Sequence, residues 1–477
     1  MYIYVIFLLF VVSLMYYKYT EGIRMTNQKV IHNFSEGNIP KQLIMFASPL
    51  FLSSLMQIVY NAVDMIVVGQ KLGQVGLSAV SVGGDISHFL TFFAMGFSNA
   101  GQIIISQYIG AKREDKLGRF ISTMFTTLMG CAVFVSAVCL MLRHTLLQLM
   151  NTPAAAYQGA LAYSTVSMVG LVFIYGYNAG SAVLRGMGDS RHPFIFISIA
   201  AVLNIILDIL FVMILPFGCM GAALATVISQ GVSFVLCAVY LYRNRFEIGL
   251  DFRKEYFAHP DRDMFAALVK LGLPMAIKSA SIQVSKLFVN SFINSFGVAV
   301  SAFAGIANKI ASISNLVSNS VNTAGSSMVG QNIGAQKYDR VPKIMLTVAA
   351  ITFAVAITMS VAFCTFPLQI FGIFSKEKEV LDIALEYLPI AVLMFFGSAC
   401  RAPANALING SGNYKMNFAT AIFDGIIMRI GLAVMFGIVL DWGYLGFWLG
   451  DALAGFTPLV IGIVFFISGK WKKRTVS

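Results

Sequence analysis

The chain is 477 residues long, 58% hydrophobic and only 11% charged, with a mean hydropathy of +0.79. Soluble domains carry about 25% charged residues, so this density cannot cover a water-facing surface and most of the exterior must face lipid; soluble enzyme, secreted scaffold and disordered chain are excluded. The net charge of +12 comes from 33 Lys and Arg against 21 Asp and Glu, placed in short loops between apolar runs, which reads as membrane topology and not as a nucleic-acid surface.

In chain order, residues 1–20 are apolar enough to insert but have no basic region before them and no small-residue cleavage site after them. Two readings of residues 1–24 stand side by side: an upstream extension with Met25 as the functional first residue, or an additional span that would put the segment's two ends on opposite faces. Runs long enough to cross about 30 Å of hydrocarbon then occupy 42–69, 77–108, 120–142, 157–184, 193–216 and 219–242 (spans 1 to 6). After a polar stretch they resume at 264–296, 300–332, 343–371, 380–408, 414–440 and 443–469 (spans 7 to 12). The expected fold is an all-α membrane protein of twelve transmembrane helices in two pseudo-symmetric six-helix bundles. Residues 25–243 form the first lobe, 244–263 a cytoplasmic linker, 264–470 the second lobe and 471–477 a basic tail.

The loops on the side of residues 25–41 hold Lys112, Arg113, Lys116, Arg119, Arg185, Arg191, Lys337, Arg340, Lys343 and Lys415, whereas the opposite loops hold only Lys71, Arg143, Lys376 and Lys378. This asymmetry places both termini in the cytoplasm of a multi-pass protein of the plasma (cell inner) membrane. Two motif pairs repeat at an offset of 224: SQYIGAK at Ser106–Lys112 with GQNIGAQK at Gly330–Lys337, and AVLRGMGD at Ala182–Asp189 with ALINGSGN at Ala406–Asn413. Six crossings separate the copies, so both lobes point the same way through the membrane and a cavity is expected between them. The six cysteines, which include Cys219 and Cys364, lie in or beside apolar runs without a CxxC pair and read as small buried hydrophobes.

Ionisable groups at lipid depth cost about 2.5–3.5 kcal/mol each and normally line a cavity. The first lobe places Asp64 on span 1, Asp85 on span 2 and Asp208 on span 5, with no lysine or arginine at comparable depth. Counting at 1.5 Å per residue sets Asp64, Asp208 and Thr226 roughly 10 Å beneath the outer surface. Asn204 and Asp208 share one face of span 5 at i and i+4, as do Asn61 and Asp64 on span 1 at i and i+3. Two neighbouring buried carboxyls cannot both ionise cheaply. A proton, or a sodium ion held by Asp64, Asn204, Asp208 and Thr226, relieves the repulsion and so biases conformation. The bland alternatives are a helix–helix hydrogen bond for Asp208 and surface hydration for Asp64. Gln57, Tyr60, Asn61 and Asp85 join as cavity candidates, and Pro49, fifteen residues before Asp64, offers a hinge.

The second lobe is basic at depth: Lys278, Lys286 and Lys309 on spans 7 and 8, Arg401 on span 10, and Asp424 with Arg429 on span 11. Lys278 and Arg401, near the cytoplasmic ends, are expected to snorkel; Lys286, Lys309, Asp424 and Arg429 stand between structural and ligand-facing roles. The five histidines are scattered, HExxH is absent and no phosphate-binding loop occurs, so the chain is read as neither an enzyme nor an ATP-driven pump, with no cofactor.

YNAVDMIVVG at Tyr60–Gly69, SQYIGAK, LRGMGDSRHP at Leu184–Pro193, LNIILDIL at Leu203–Leu210, GAALATVIS at Gly221–Ser229 and GQNIGA at Gly330–Ala335 together resemble the multidrug and toxic compound extrusion (MATE) transporters, in particular their DinF-like prokaryotic branch. The resemblance covers about residues 30–470 and implies a V-shaped pair of six-helix bundles exporting organic cations in exchange for protons or sodium, as a monomer acting on small molecules in a lipid bilayer. It implies a coupling site at Asp64, Asn204, Asp208 and Thr226 and a bending proline at Pro49. Some members of the family place acidic residues in spans 7 and 10; here span 7 offers Lys278 and Lys286, and span 10 has Arg401 near its inner end and Glu386 near its outer end, which leaves room for an anionic or zwitterionic substrate. A lipid-linked precursor flippase of the wider superfamily, and a non-transporting channel or receptor, remain open at this point.

Overall fold

The computed structural model describes residues 31–246, 256–257 and 259–472. The 1–24 extension, part of the linker and residues 473–477 of the tail lie outside the described residues. No strand occurs among the described residues. Among the described residues eleven helices are long and apolar enough to cross a membrane: α1 Ile39–Gly110, α2 Asp115–Leu149, α3 Tyr157–Gly186, α4 Arg191–Ile214, α5 Gly218–Arg243, α6 Arg262–Asn294, α7 Val298–Gly334, α8 Arg340–Thr365, α9 Lys378–Gly410, α10 Tyr414–Val439 and α11 Gly443–Ile467.

Spans 1 and 2 fall together in α1, whose 72 residues would reach about 108 Å if straight, over three times the hydrocarbon thickness. It is a hairpin. Its backbone leaves helical geometry at Gly73 (φ 63°, ψ −157°), a region essentially reserved for glycine. The Leu77 side chain packs within 3.2 Å of where a Gly69 Cβ would sit, whereas eight residues of straight helix span about 12 Å. The ends also converge on one residue: the Phe34 amide donates to Gln331 Oε1 at 2.8 Å, and a Cβ at Gly110 would collide with the Gln331 carbonyl. The backbone of α1 stays helical through Pro49.

The internal repeat extends to backbone detail. Positive φ recurs at Gly73 and Gly297, Lys112 and Gln336, Gly188 and Gly412, and Gly218 and Gly443, each pair 224 or 225 residues apart. α1 and α7 close with the same C-terminal hydrogen bond, from Arg113 N to Tyr108 O and from Lys337 N to Asn332 O, both 2.9 Å. A π turn at Ile209–Ile214 ends α4, and another at Met435–Val439 ends α10.

The chain divides into two compact units, one built from Leu52–Gln102 and Glu114–Ala266, the other from Asn33–Phe51, Ile103–Arg113 and the residues from Ala267 onward. In the second unit the segment before α1 is latched to α7 and α8. Asn332 Nδ2 donates to the Phe34 carbonyl (3.1 Å), Arg340 Nη2 to that of Gly37 (3.0 Å), and Lys337 Nζ pairs with Glu36 (3.1 Å). Glu36 is fully exposed, and the Lys337 ammonium holds its carboxyl below the usual range. The end of α1 crosses α7 at two small-residue pairs, Ser106 with Gly110 and Gly330 with Gly334: a Cβ at Gly334 would strike the Gln107 carbonyl, mirroring the Gly110 contact. Such small-xxx-small faces let helices approach without a hydrophobic drive between them.

In the first unit α3 packs along α5 by the same device, Gly170 against Val227, Gly176 against Phe234 and Gly180 against Cys237. Gly83, on the returning arm of α1, receives the ring of Tyr163 from α3. Cys131 and Cys219 are half-buried and Cys364 exposed, where burial was expected; all six cysteines are free.

Candidate ion-coupling site

The first unit gathers the acids of spans 1 and 5. Asp64 is 7% exposed, Asn204 2% and Asp208 0%. Asn204 Nδ2 lies 3.4 Å from Thr226 Oγ1, and that hydroxyl donates to the Ala222 carbonyl at 3.2 Å. α4 and α5 are thereby joined through Asn204 and Thr226. Asp208 is the last residue before the π turn of α4, a local widening that recurs at functional sites.

The oxygens facing this place are left over. Asp64 Oδ1, Asn204 Oδ1 and both carboxylate oxygens of Asp208 are buried without any hydrogen-bond partner. Each such orphan costs about 1–3 kcal/mol, and native proteins carry few of them. Asp64 and Asp208 feel each other's charge, and both act on the Tyr163 hydroxyl, yet neither forms an ion pair with a basic residue among the described residues. Two carboxylates, an amide oxygen and a hydroxyl are hard oxygen donors suited to a proton or to a hard cation. No group of three or more His, Cys, Asp and Glu suited to a metal occurs among the described residues.

The other candidates of this unit separate. Tyr60 lies beside Asp64 and within hydrogen-bond reach of Gln230. Gln57 and Asn61 are exposed on the same arm of α1. Asp85 is exposed as well, with His88, not Asp64 or Asp208, as its charged neighbour. Tyr163 and Gln230 are not among the residues proposed from the sequence, because neither shares a helix face or a short spacing with Asp64 or Asp208.

In the second unit the charges form a network. Asp424, fully buried, accepts from Arg401 Nη2 at 3.2 Å and from Arg429 Nη2 at 3.3 Å, and Arg429 Nη1 pairs with Asp451. Lys278 Nζ donates to Asn405 Oδ1 at 2.7 Å. Lys278 and Arg401 therefore reach buried partners and do not snorkel, because a carboxylate and an amide on neighbouring helices are nearer than water. Asp451 was missed, although an acid inside an apolar run is the signal that found Asp64. Lys309 is exposed, apart from this network.

The MatE family model matches residues 49–210 and 274–435, most of the chain and once per repeat. The chain belongs to the MatE family. It is a multi-pass membrane protein of a transporter family that handles small molecules and needs no cofactor, and it is not an enzyme. This MatE protein is 26% identical over 444 residues to the probable multidrug resistance protein YpnP of Bacillus subtilis, covering 92% of this chain and 98% of that protein. It is 28% identical over 451 residues to the probable multidrug resistance protein YoeA of the same organism, covering 93% and 96%. A crystal structure of MATE in the bent conformation superposes with a TM-score of 0.83 at 23% identity, over 93% of this chain and 97% of that one. This likeness carries the fold of the MatE protein alone.

Proposed function

We propose that this protein is an exporter in the plasma membrane that exchanges organic solutes bearing a cationic group for protons or sodium ions by alternating access, acting as a monomer with both termini in the cytoplasm. The observation that carries the reading is the set of four orphaned oxygens on Asp64, Asn204 and Asp208, buried without a basic partner. A cation entering there meets oxygens that nothing else neutralises. One conformation holds them close and favours the cation, while the other separates or hydrates them; this difference in affinity is the only means by which an ion can drive the cycle. Each charge returned across the membrane supplies about 2.3 kcal/mol per 100 mV. Cation arrival rearranges the first unit and releases solute outward, and the inward-open form collects the next. Relatives named for multidrug resistance support export of drug-like solutes.

Pro49 is assigned the hinge. A proline inside a helix removes one backbone hydrogen bond, and this one sits two residues before Phe51, where α1 passes from one compact unit to the other. Asp208→Asn keeps shape and removes the charge. Cells producing this variant at the wild-type level in the membrane are expected to lose efflux across a panel of organic cations; wild-type efflux from them removes the assigned role.

A further inference from the structure

The second unit holds a pocket that the coupling scheme leaves unused. Lys286 and Asn290 of α6, Asn308 of α7, Tyr387 of α9, and Trp448 and Asp451 of α11 line it. Around it the described residues place four cations, Lys278, Lys286, Arg401 and Arg429, against the two anions Asp424 and Asp451; Arg429 and Asp424 are buried and the other four partly so. Arg401 and Arg429 are spoken for by those carboxylates, and Lys278 by Asn405. Among the described residues Lys286 alone of the four makes no hydrogen bond and no ion pair, although it feels Asp451 across the pocket. Asp451 has one oxygen engaged by Arg429, and its side chain is 29% exposed. The pocket thus presents an unsatisfied ammonium, a partly free carboxylate, two side-chain amides and the rings of Tyr387 and Trp448.

An unpaired charge at membrane depth is costly and marks a ligand site. A simple organic cation would add to the positive surplus, and a dianionic phosphate would face Asp451. A carboxylate neutralises Lys286, while an ammonium on the same solute meets Asp451. The aromatic walls accept an apolar side group. We propose that this pocket binds the zwitterionic head of the transported solute, its carboxylate on Lys286 and its ammonium on Asp451, so that the exporter's substrates are amino-acid-like zwitterions with an apolar substituent. This names the substrate class of the exporter proposed above and rests on that reading.

The test is equilibrium binding to the full-length protein in phosphatidylcholine nanodiscs, with three probes sharing one phenyl ring: L-phenylalanine (zwitterion), hydrocinnamate (anion) and phenethylamine (cation). L-phenylalanine is expected to bind tightest, hydrocinnamate to displace it, and phenethylamine to bind weaker by on the order of tenfold or more. Lys286→Met is expected to lose on the order of tenfold for both carboxylated probes while phenethylamine binds as well or tighter, since a like charge is removed beside it, and Lys286→Arg to restore most of the carboxylate loss. Phenethylamine binding as tightly as L-phenylalanine to the unmodified protein overturns the proposal without reliance on any variant, as does an unchanged L-phenylalanine affinity in folded Lys286→Met. Because binding at equilibrium needs no ion gradient, Lys286-dependent binding of L-phenylalanine without coupled transport sinks the exchange reading and leaves the pocket standing.

Discussion

Asp208 and Asp424 are both fully buried, yet their surroundings are opposite. Asp424 accepts from two guanidinium groups, whereas neither carboxylate oxygen of Asp208 has a partner. Removing one member of a buried ion pair strands the other and costs about 3–5 kcal/mol. Asp424→Asn is therefore expected to lower stability by about that amount, and Asp208→Asn by less than about 1 kcal/mol, since no bond is lost. Unfolding of both variants in one detergent checks this, and the reverse order contradicts the division into a structural and a working carboxylate. Much of the candidate group was legible: the i, i+4 spacing of Asn204 and Asp208 puts them on one helix face, and the Asn204–Thr226 contact joins two residues that the sequence proposes together. The partners of Lys278 and Arg401 were not, because Asn405 and Asp424 meet them through tertiary packing. Asp451 pairs with Arg429, 22 residues away on the preceding helix, and no helical spacing connects the two.

Elements answer to backbone geometry more than to hydropathy. A Cβ at Gly73 meets open space, so Gly73→Ala tests φ alone; it is expected to cost about 1–3 kcal/mol and leave the fold intact. Gly334→Leu, by contrast, drives a side chain into the Gln107 carbonyl and is expected to abolish folded protein, read as loss of a monodisperse peak after solubilisation. A folded Gly334→Leu variant contradicts the close crossing of α1 and α7. Both positions lie in the 224-residue repeat, which the motifs SQYIGAK and GQNIGAQK already display. Hydropathy assigns each crossing to a run but does not reveal that the two ends of α1 belong to the unit containing α7, since that follows from the hydrogen bonds of Gln331 and Asn332 to the chain before α1. The π turns also have no composition signal: Ile209–Ile214 is as apolar as the helix it ends.

For the molecule as a whole, low charge density and the eleven membrane-length apolar helices among the described residues place it in a membrane, and the charges on those helices divide by unit. In the first unit Asp64 and Asp208 stand without a basic partner among the described residues, whereas in the second Asp424 and Asp451 are tied to Arg401 and Arg429. Pro49→Ala restores a backbone donor where α1 changes unit and is expected to slow exchange while leaving cation binding unchanged, a split read by comparing transport rate with equilibrium ion binding. The central claim is that a cation at Asp64 and Asp208 drives solute movement. Its most direct test is counterflow in proteoliposomes, with a pH-sensitive dye or labelled sodium inside and a solute panel exported against imposed gradients. The account predicts that a proton or sodium gradient drives solute accumulation with matching ion movement in the opposite direction, and that Asp64→Asn and Asp208→Asn each abolish both. Solute movement indifferent to both gradients, or coupling that survives in Asp208→Asn, contradicts it.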